Sequence, residues 1–213
     1  MELSAETRWF WRGAGPPELR QWFMDASLHT CAPGGGRLRV DAYLSDRGQV
    51  ELGIKRRGHR KGVEVKGLVA VLAGECDDRP FVGPVEIWAK WSSEALSLTG
   101  MDRIVVRKRR WLRKFGPLGS DYQEIALGAD ESPIDGRSLP SEGCNVEYTE
   151  ISLDGGRVWT TLGFEAFGSL DKIAASLLRT TEHLSMRRSP TLVGAWHASY
   201  PRWLQQVAAA ADA

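Results

Sequence analysis

Charged side chains recur at two-residue spacing in the segments of this chain that read as β-strands. The pattern begins at the N-terminus, where Ser4, Glu6 and Arg8 alternate with uncharged residues. Because successive side chains of a strand point to opposite faces, these three share one face. Other charges share a strand face in the same way: Glu51 with Lys55 and Arg57, Glu64 with Lys66, Glu86 with Lys90, and Lys108 with Arg110. Such a chain either exposes a charged sheet face to water or encloses a charged cavity.

The composition allows one sizeable folded domain. The chain has 213 residues, of which 42% are hydrophobic and 26% charged; these values are ordinary for a protein with a buried core. A net charge of +1 gives no support for strong nucleic-acid or membrane attraction. No apolar run approaches the roughly 20 residues that span a bilayer. The N-terminus lacks the features of a signal peptide, and the three cysteines are scattered, so we expect a cytoplasmic protein.

Strand signals and helix signals together predict an α+β protein. The predicted strands cover residues 3–11, 37–44, 49–57, 62–72, 85–91, 102–114, 145–153 and 157–167. A helix is predicted from about residue 16 to 26, and a short one near 200–204. Another helix begins after Ser169, and its predicted apolar stripe is Leu170, Ile173, Ala174, Leu177 and Leu178. Connections are expected at 31–36 and 46–48. We interpret residues 1–213 as one domain, with a loop-rich insertion at about 116–142.

Eight largely antiparallel strands can remove their exposed edges by curling into a barrel. An interior that carried Glu, Lys and Arg from many strands would have to be a polar tunnel, since a dry core does not accommodate so many charges. Nine tryptophans are present, and Trp9, Trp11 and Trp111 fall on the faces opposite the charges. The predicted fold is therefore an eight-stranded antiparallel β-barrel, or tunnel, with flanking helices that cover these tryptophans. An open, solvated sheet is the alternative.

The strand order and the charged motifs resemble the CYTH, or triphosphate tunnel metalloenzyme, superfamily. Residues 4–8 resemble the family's N-terminal Glu-x-Glu-x-Lys motif, with Ser4 in place of the first Glu and Arg8 in place of the Lys. Residues 163–165 resemble its closing Glu-x-Glu, with Gly163 in place of the first Glu. Further short resemblances lie at residues 52–58, 65–67, 108–111, 146–156 and 199–204. The likeness spans nearly the whole chain.

This resemblance implies a tunnel in which basic side chains grip a triphosphate or other organophosphate, while acidic side chains hold Mg²⁺ or Mn²⁺. The implied phosphate-binding residues are Arg8, Lys55, Arg57, Lys66, Lys108 and Arg110. The implied metal ligands are Glu6, Glu147 and Glu165, of which Glu6 and Glu165 are also the catalytic candidates. Weaker acidic candidates are Glu51, Glu64 and Glu86. The chemistry is consistent, because Arg and Lys form charge-assisted hydrogen bonds to phosphate oxygens, and hard divalent ions prefer carboxylate ligands.

Three functions remain as alternatives. Ser4 and Gly163 remove two carboxylates from the implied metal set, which leaves both a catalytic and an inactive tunnel open, and an open sheet gives the third. The chain is a divalent-metal-dependent phosphohydrolase, a catalytically inactive phosphate- or nucleotide-binding module, or an interaction protein with an open charged sheet. It carries no phosphate-binding loop, nucleophile elbow or zinc-protease motif. A homodimer is compatible with the many tryptophans.

The sequence does not decide which side chains of the sixth predicted strand point into the barrel. A shift of one residue exchanges the two faces of a strand. Arg107 and Arg109 are therefore an alternative inward pair to Lys108 and Arg110.

Overall fold

The computed structural model describes residues 1–25, 36–45, 48–58, 60–76, 80–186 and 189–209. Within these ranges the strands are β1 (Glu2–Arg12), β2 (Arg37–Leu44), β3 (Leu52–Arg57), β4 (Val63–Cys76), β5 (Gly83–Ser93), β6 (Arg103–Leu118), β7 (Asp121–Ile125), β8 (Gly143–Leu153), β9 (Val158–Phe167) and β10 (Trp196–His197). The helices are α1 (Pro17–Met24), α2 (Leu170–Ser185) and α3 (Tyr200–Ala209). Most of the predicted 31–36 connection and residues 46–47 of the predicted turn lie outside the described residues.

Eight of these strands form a closed antiparallel barrel. Their order around it is β1-β5-β4-β3-β2-β6-β8-β9, and β9 pairs again with β1. The closing register places Glu6 opposite Glu165 and Arg8 opposite Gly163. The predicted α+β barrel with flanking helices is therefore confirmed, and the open-sheet alternative is wrong. Closure leaves an enclosed inner face.

The sixth strand is longer than its sequence pattern predicts. It pairs with β8 as far as Phe115 and then continues to Leu118 as a hairpin with β7. Pro117 is tolerated because this part of β6 has lost its β8 partner, and proline fits where one strand edge is free. The end of β6 and all of β7 thus lie within residues 116–142.

The outer face of β1, β5, β8 and β9 carries the larger hydrophobic core. Trp9 and Trp11 are 3% and 5% exposed and pack with residues of α1 and α2. The α1 residues in this cluster are Leu19, Trp22 and Phe23, and the α2 residues are Ile173, Leu177 and Leu184. Trp111 packs against the same cluster and is partly buried. Buried aromatic side chains of this size supply a large share of the hydrophobic stabilisation.

Helix α2 begins after Ser169 as predicted, although the Ser169 side chain makes no capping hydrogen bond. The predicted stripe is partly wrong, since Leu170 and Leu178 are 61% and 43% exposed. The buried face of the helix continues from Leu177 to Thr180 and Thr181, three and four residues further along the chain. Leu178 lies outside this face and is exposed to solvent. No helix in the described ranges is both long and apolar enough to cross a membrane.

Helix α3 packs against inward-facing apolar residues at one end of the barrel. The Trp203 ring stacks on Phe10, with 5.1 Å between ring centroids and 8° between planes. Tyr200 stacks on Tyr43 with centroids 5.9 Å apart. Val106, Ile151 and Leu153 complete this inner cluster. These apolar residues fill one end of the barrel, and the charged side chains occupy the rest of its interior.

Candidate functional site: the charged barrel interior

All eight barrel strands contribute charged side chains to the inner face, because the charges fall on alternate residues. The cationic members are Arg8, Arg39, Lys55, Arg57, Lys66, Lys90, Lys108, Arg110 and Lys114. The acidic members are Glu6, Asp41, Glu64, Glu86, Glu147 and Glu165. Positive charge therefore exceeds negative charge on this face, so the interior as a whole favours an anion.

The six residues that the resemblance implies for phosphate binding all lie in this inner set. The structure also resolves the facing of β6. Lys108 is 4% exposed, and Lys108 and Arg110 make ion pairs with inward acids. Arg107 and Arg109 lie on the exposed outer face instead. The alternative inward pair is therefore wrong.

Glu147 is held between two arginines. Its Oε2 accepts a hydrogen bond from Arg8 Nη2 at 2.9 Å, and its Oε1 accepts one from Arg110 Nη1 at 2.8 Å. Burial would raise the pKa of Glu147, but Arg110 and Arg8 hold it well below its usual range. Burial likewise lowers the pKa of Arg8, and the nearby Glu147 carboxylate more than offsets this, so the net shift is upward. These three groups stay charged across the ordinary pH range.

Ser4 and Gly163, which stand where the resembled motifs have Glu, each contact a charged residue of the inner set. The Arg8 guanidinium lies over Gly163, where a Cβ atom would be 2.6 Å from both terminal nitrogens of Arg8. A Glu at position 163 is therefore incompatible with this placement of Arg8. At the other position, Ser4 Oγ donates a hydrogen bond of 2.6 Å to Glu6 Oε1, so a hydroxyl supports Glu6 where the family motif has a carboxylate.

Two further ion-pair networks join Lys66 to Glu6, and Glu64 to Lys55 and Arg57. Lys66 Nζ bonds both carboxylate oxygens of Glu6. Glu64 Oε1 lies 2.8 Å from Lys55 Nζ and accepts a hydrogen bond from Arg57 Nη2 at 3.3 Å. Burial raises the pKa of Glu64, but Lys55 and Arg57 outweigh burial and lower it to about 2.

A fourth network contains inner residues that the sequence patterns did not single out. Lys108 Nζ lies 3.2 Å from Asp41 and donates to the Tyr43 hydroxyl at 2.8 Å. Arg39 Nε lies 3.0 Å from the other oxygen of Asp41. The signal is present in the sequence, because Arg37, Arg39 and Asp41 follow the same two-residue spacing in β2.

Three carboxylates occupy adjacent positions on neighbouring strands. Glu6 of β1 is opposite Glu86 of β5 on one side and opposite Glu165 of β9 on the other. Burial raises the pKa of Glu86. The pKa of Glu165 is lowered: burial opposes this shift, and Lys66 is the main group that produces it.

These acids do not form a ready-made metal centre. Within the described ranges, no group of three or more His, Cys, Asp or Glu side chains is placed to hold a metal ion. Glu147 is engaged by two arginines and Glu6 by Lys66. Glu165 makes no ion pair or side-chain hydrogen bond to another described residue, so it is the most available of the three implied ligands. Of the weaker acidic candidates, Glu51 lies outside β3 and is exposed.

A cavity of about 1130 Å³ lies along β2, β3 and β6 and is lined by residues of both strand faces, including the outward-facing Leu38, Val40 and Val105. We call it the arginine cavity, because its lining includes Arg37, Arg39, Arg56, Arg57, Arg60, Arg103 and Arg110. The acidic residues in its lining are Asp102 and Glu131. Three of these arginines belong to the inner set: Arg39, Arg57 and Arg110. The cavity is large enough for a small organophosphate.

Comparison with known proteins assigns no family to the chain. A scan against protein-family models finds no match, and a search of curated proteins finds no similar sequence. The closed eight-stranded barrel is compatible with the tunnel fold that the motif resemblance implies. The function is therefore inferred from the geometry of the barrel interior.

Proposed function

We propose that this protein is a CYTH-like tunnel domain that binds a triphosphate-containing compound or another organophosphate within its barrel. The observation that carries the proposal is the closed barrel with a net positive inner face beside an arginine-lined cavity. Arginine presents a planar set of donors to phosphate oxygens, and lysine presents a compact charge. The inner face offers both kinds of cation.

The internal ion pairs prepare the cations for a ligand. Glu147 orients Arg8 and Arg110, and Glu64 orients Lys55 and Arg57. Side chains that are already ordered lose less entropy when a ligand binds. An organophosphate would enter at the end of the barrel that carries Arg39, Arg57 and Arg110, since α3 fills the other, apolar end with Trp203 and Tyr200.

Metal-dependent phosphohydrolysis is the second candidate function, and the adjacency of Glu6 and Glu165 favours it. Mg²⁺ commonly uses one or two protein carboxylates when phosphate oxygens supply further ligands. Glu165 and Glu6 would supply those carboxylates, while Glu147 positions arginines. A bound divalent ion would polarise the phosphoryl group. In this role Lys66 orients Glu6, and Arg8 and Arg110 stabilise charge on the phosphate.

Calorimetric titration with tripolyphosphate, with and without Mn²⁺, tests binding. We expect saturable binding by the wild-type protein, and its absence under both conditions would overturn the proposal. Phosphate release in the presence of Mg²⁺ or Mn²⁺ then separates the two functions. Glu165→Gln is expected to keep binding and lose release, whereas the outer-face control Glu150→Gln keeps both. Binding by the wild-type protein without release identifies a non-catalytic binding module.

A further inference from the structure

Residues 127–133 form a small hairpin that carries Glu131 near its tip. A bridge between Leu127 and Pro133 closes the base of the hairpin. Glu131 has a φ of +67°, the one positive φ of a non-glycine residue within the described ranges. This left-handed region is unfavourable for a glutamate backbone. Its occupation indicates that the surrounding contacts hold Glu131 in place.

The backbone N–H of Glu131 donates a turn hydrogen bond to Gly128 O at 3.0 Å, and the carboxylate makes the remaining contacts. Both of its oxygens accept hydrogen bonds from Arg110 Nη2, and Arg37 Nη1 lies 3.5 Å from Oε2. The other terminal nitrogen of Arg110 is bonded to Glu147 at 2.8 Å. Arg110 therefore holds one carboxylate from a barrel strand and one from a surface hairpin.

The hairpin carboxylate lies where an anionic ligand would be recognised. Glu131, Arg37 and Arg110 all line the arginine cavity. A phosphoryl group and a carboxylate offer arginine the same kind of acceptor, a set of negatively charged oxygens. The Glu131 and Arg37 side chains are 21% and 62% exposed, so the pair can be reached from solvent.

We propose that Arg110 and Arg37 form an anion subsite at the arginine cavity, that the Glu131 carboxylate is its resident ligand, and that a phosphoryl group displaces this carboxylate. This inference rests on the proposed binding function and assigns one phosphoryl position of the organophosphate. Displacement releases the tip of the 127–133 hairpin from Arg110. Glu131 thereby acts as a built-in competitor that sets the affinity for the anion.

Affinity for tripolyphosphate, measured by calorimetry on the full chain, is the first test. Glu131→Gln is expected to bind at least fivefold more tightly than the wild-type protein, because the competing charge is gone. Asp102→Asn is the matched control. It removes the same charge from the same cavity, and Asp102 makes no ion pair with a described residue, so its affinity should stay within twofold of the wild-type value.

Glu131→Gly distinguishes the effect of the carboxylate on affinity from the effect of the backbone conformation. Glycine adopts a φ of +67° without strain, so this variant keeps the hairpin conformation while losing the competitor. It should bind tripolyphosphate at least as tightly as Glu131→Gln. If the wild-type protein binds tripolyphosphate and both variants bind it with the same affinity, Glu131 does not compete with the anion. The proposed binding function is not affected by that result.

Limited trypsin digestion is the second test. Arg137 follows the hairpin and is 59% exposed. We expect cleavage after Arg137 to be faster in ligand-free Glu131→Gln than in the ligand-free wild-type protein, and saturating tripolyphosphate should accelerate it in the wild-type protein. If neither the substitution nor tripolyphosphate changes the rate of cleavage after Arg137, the proposed displacement of Glu131 is wrong. If no variant binds tripolyphosphate, the binding function itself fails, and the subsite fails with it.

Discussion

The Arg8 guanidinium covers Gly163 so closely that a Cβ atom at position 163 would lie 2.6 Å from both of its terminal nitrogens. This contact crosses the β1–β9 pair that closes the barrel, where the two residues are directly opposite. The absence of a side chain at position 163 therefore allows Arg8 to reach Glu147. The position of Arg8 therefore depends on a glycine in the strand pair that closes the barrel.

Gly163→Ala is expected to lower the free energy of unfolding by about 2 kcal/mol, as an overpacked buried site does. The new methyl group must push Arg8 away from Glu147. Gly67→Ala is the matched control, since Gly67 lies in β4 and a Cβ atom added there would meet nothing within 4 Å. Its cost should stay below about 0.5 kcal/mol. Urea unfolding monitored by tryptophan fluorescence measures both changes.

Gly163→Ala in an Arg8→Ala background tests whether the contact with Arg8 is what makes a side chain at position 163 unfavourable. With the guanidinium removed, Gly163→Ala should cost less than about 1 kcal/mol, because the group that the new methyl meets is gone. An undiminished cost in this background would show that Arg8 is not what restricts position 163.

Glu147→Gln is expected to destabilise the fold by about 3 kcal/mol, because it leaves buried Arg8 without its counter-charge. Glu150→Gln provides the comparison on the same strand. Glu150 faces outward, 3.6 Å from Arg20 in an exposed pair, so its loss should cost about 0.5 kcal/mol or less. Equal costs in chemical unfolding would contradict the assignment of Glu147 to the interior.

His197 predicts a loss of stability on acidification. Burial, with a smaller effect from Arg202, lowers the pKa of His197 from its ordinary value of 6.5 to about 4. Between pH 6.5 and 4, His197 is protonated in the unfolded chain but not in the folded chain. The free energy of unfolding therefore falls as the pH falls. The loss is on the order of 2 kcal/mol, after allowance for partial exposure of the ring.

His197→Gln tests this linkage. The Gln side chain has no proton to gain, and it can retain a hydrogen bond to Thr7, whose Oγ1 lies 2.7 Å from His197 Nε2. Its stability should change less than that of the wild-type protein between pH 6.5 and 4.5. Parallel stability curves would contradict the assigned pKa.

The barrel could be predicted from the sequence because the two-residue charge spacing is present on β1, β2, β3, β4 and β6. This spacing identifies Arg8, Lys66 and Lys108. Their partners are harder to predict, since the ion pairs join strands far apart in the chain, as Arg8 joins Glu147. The facing of β6 is also ambiguous in the sequence, because both Lys108 and Arg109 are basic, and only barrel packing distinguishes the two faces.

Glu131 could not have been identified from a pattern. It lies in a segment rich in turn residues, with no periodicity to mark a functional side chain. Its position depends on the Leu127–Pro133 bridge and on the path of the hairpin towards Arg110. In α2, by contrast, the periodicity is visible, but the predicted Leu170 and Leu178 are exposed, and the buried face continues through Thr180 and Thr181 beyond the predicted stripe.

Neighbouring arginines on β6 provide the most direct test of anion binding inside the barrel. Arg110 faces inward, and Arg109 faces outward and is exposed. Arg110→Gln leaves Glu147 paired with Arg8, so the fold should persist, as thermal unfolding can verify. We predict that Arg110→Gln weakens tripolyphosphate binding at least about tenfold, equivalent to about 1.4 kcal/mol, while Arg109→Gln changes it less than about twofold. Equal losses in the two variants, or no binding by the wild-type protein, would contradict the account.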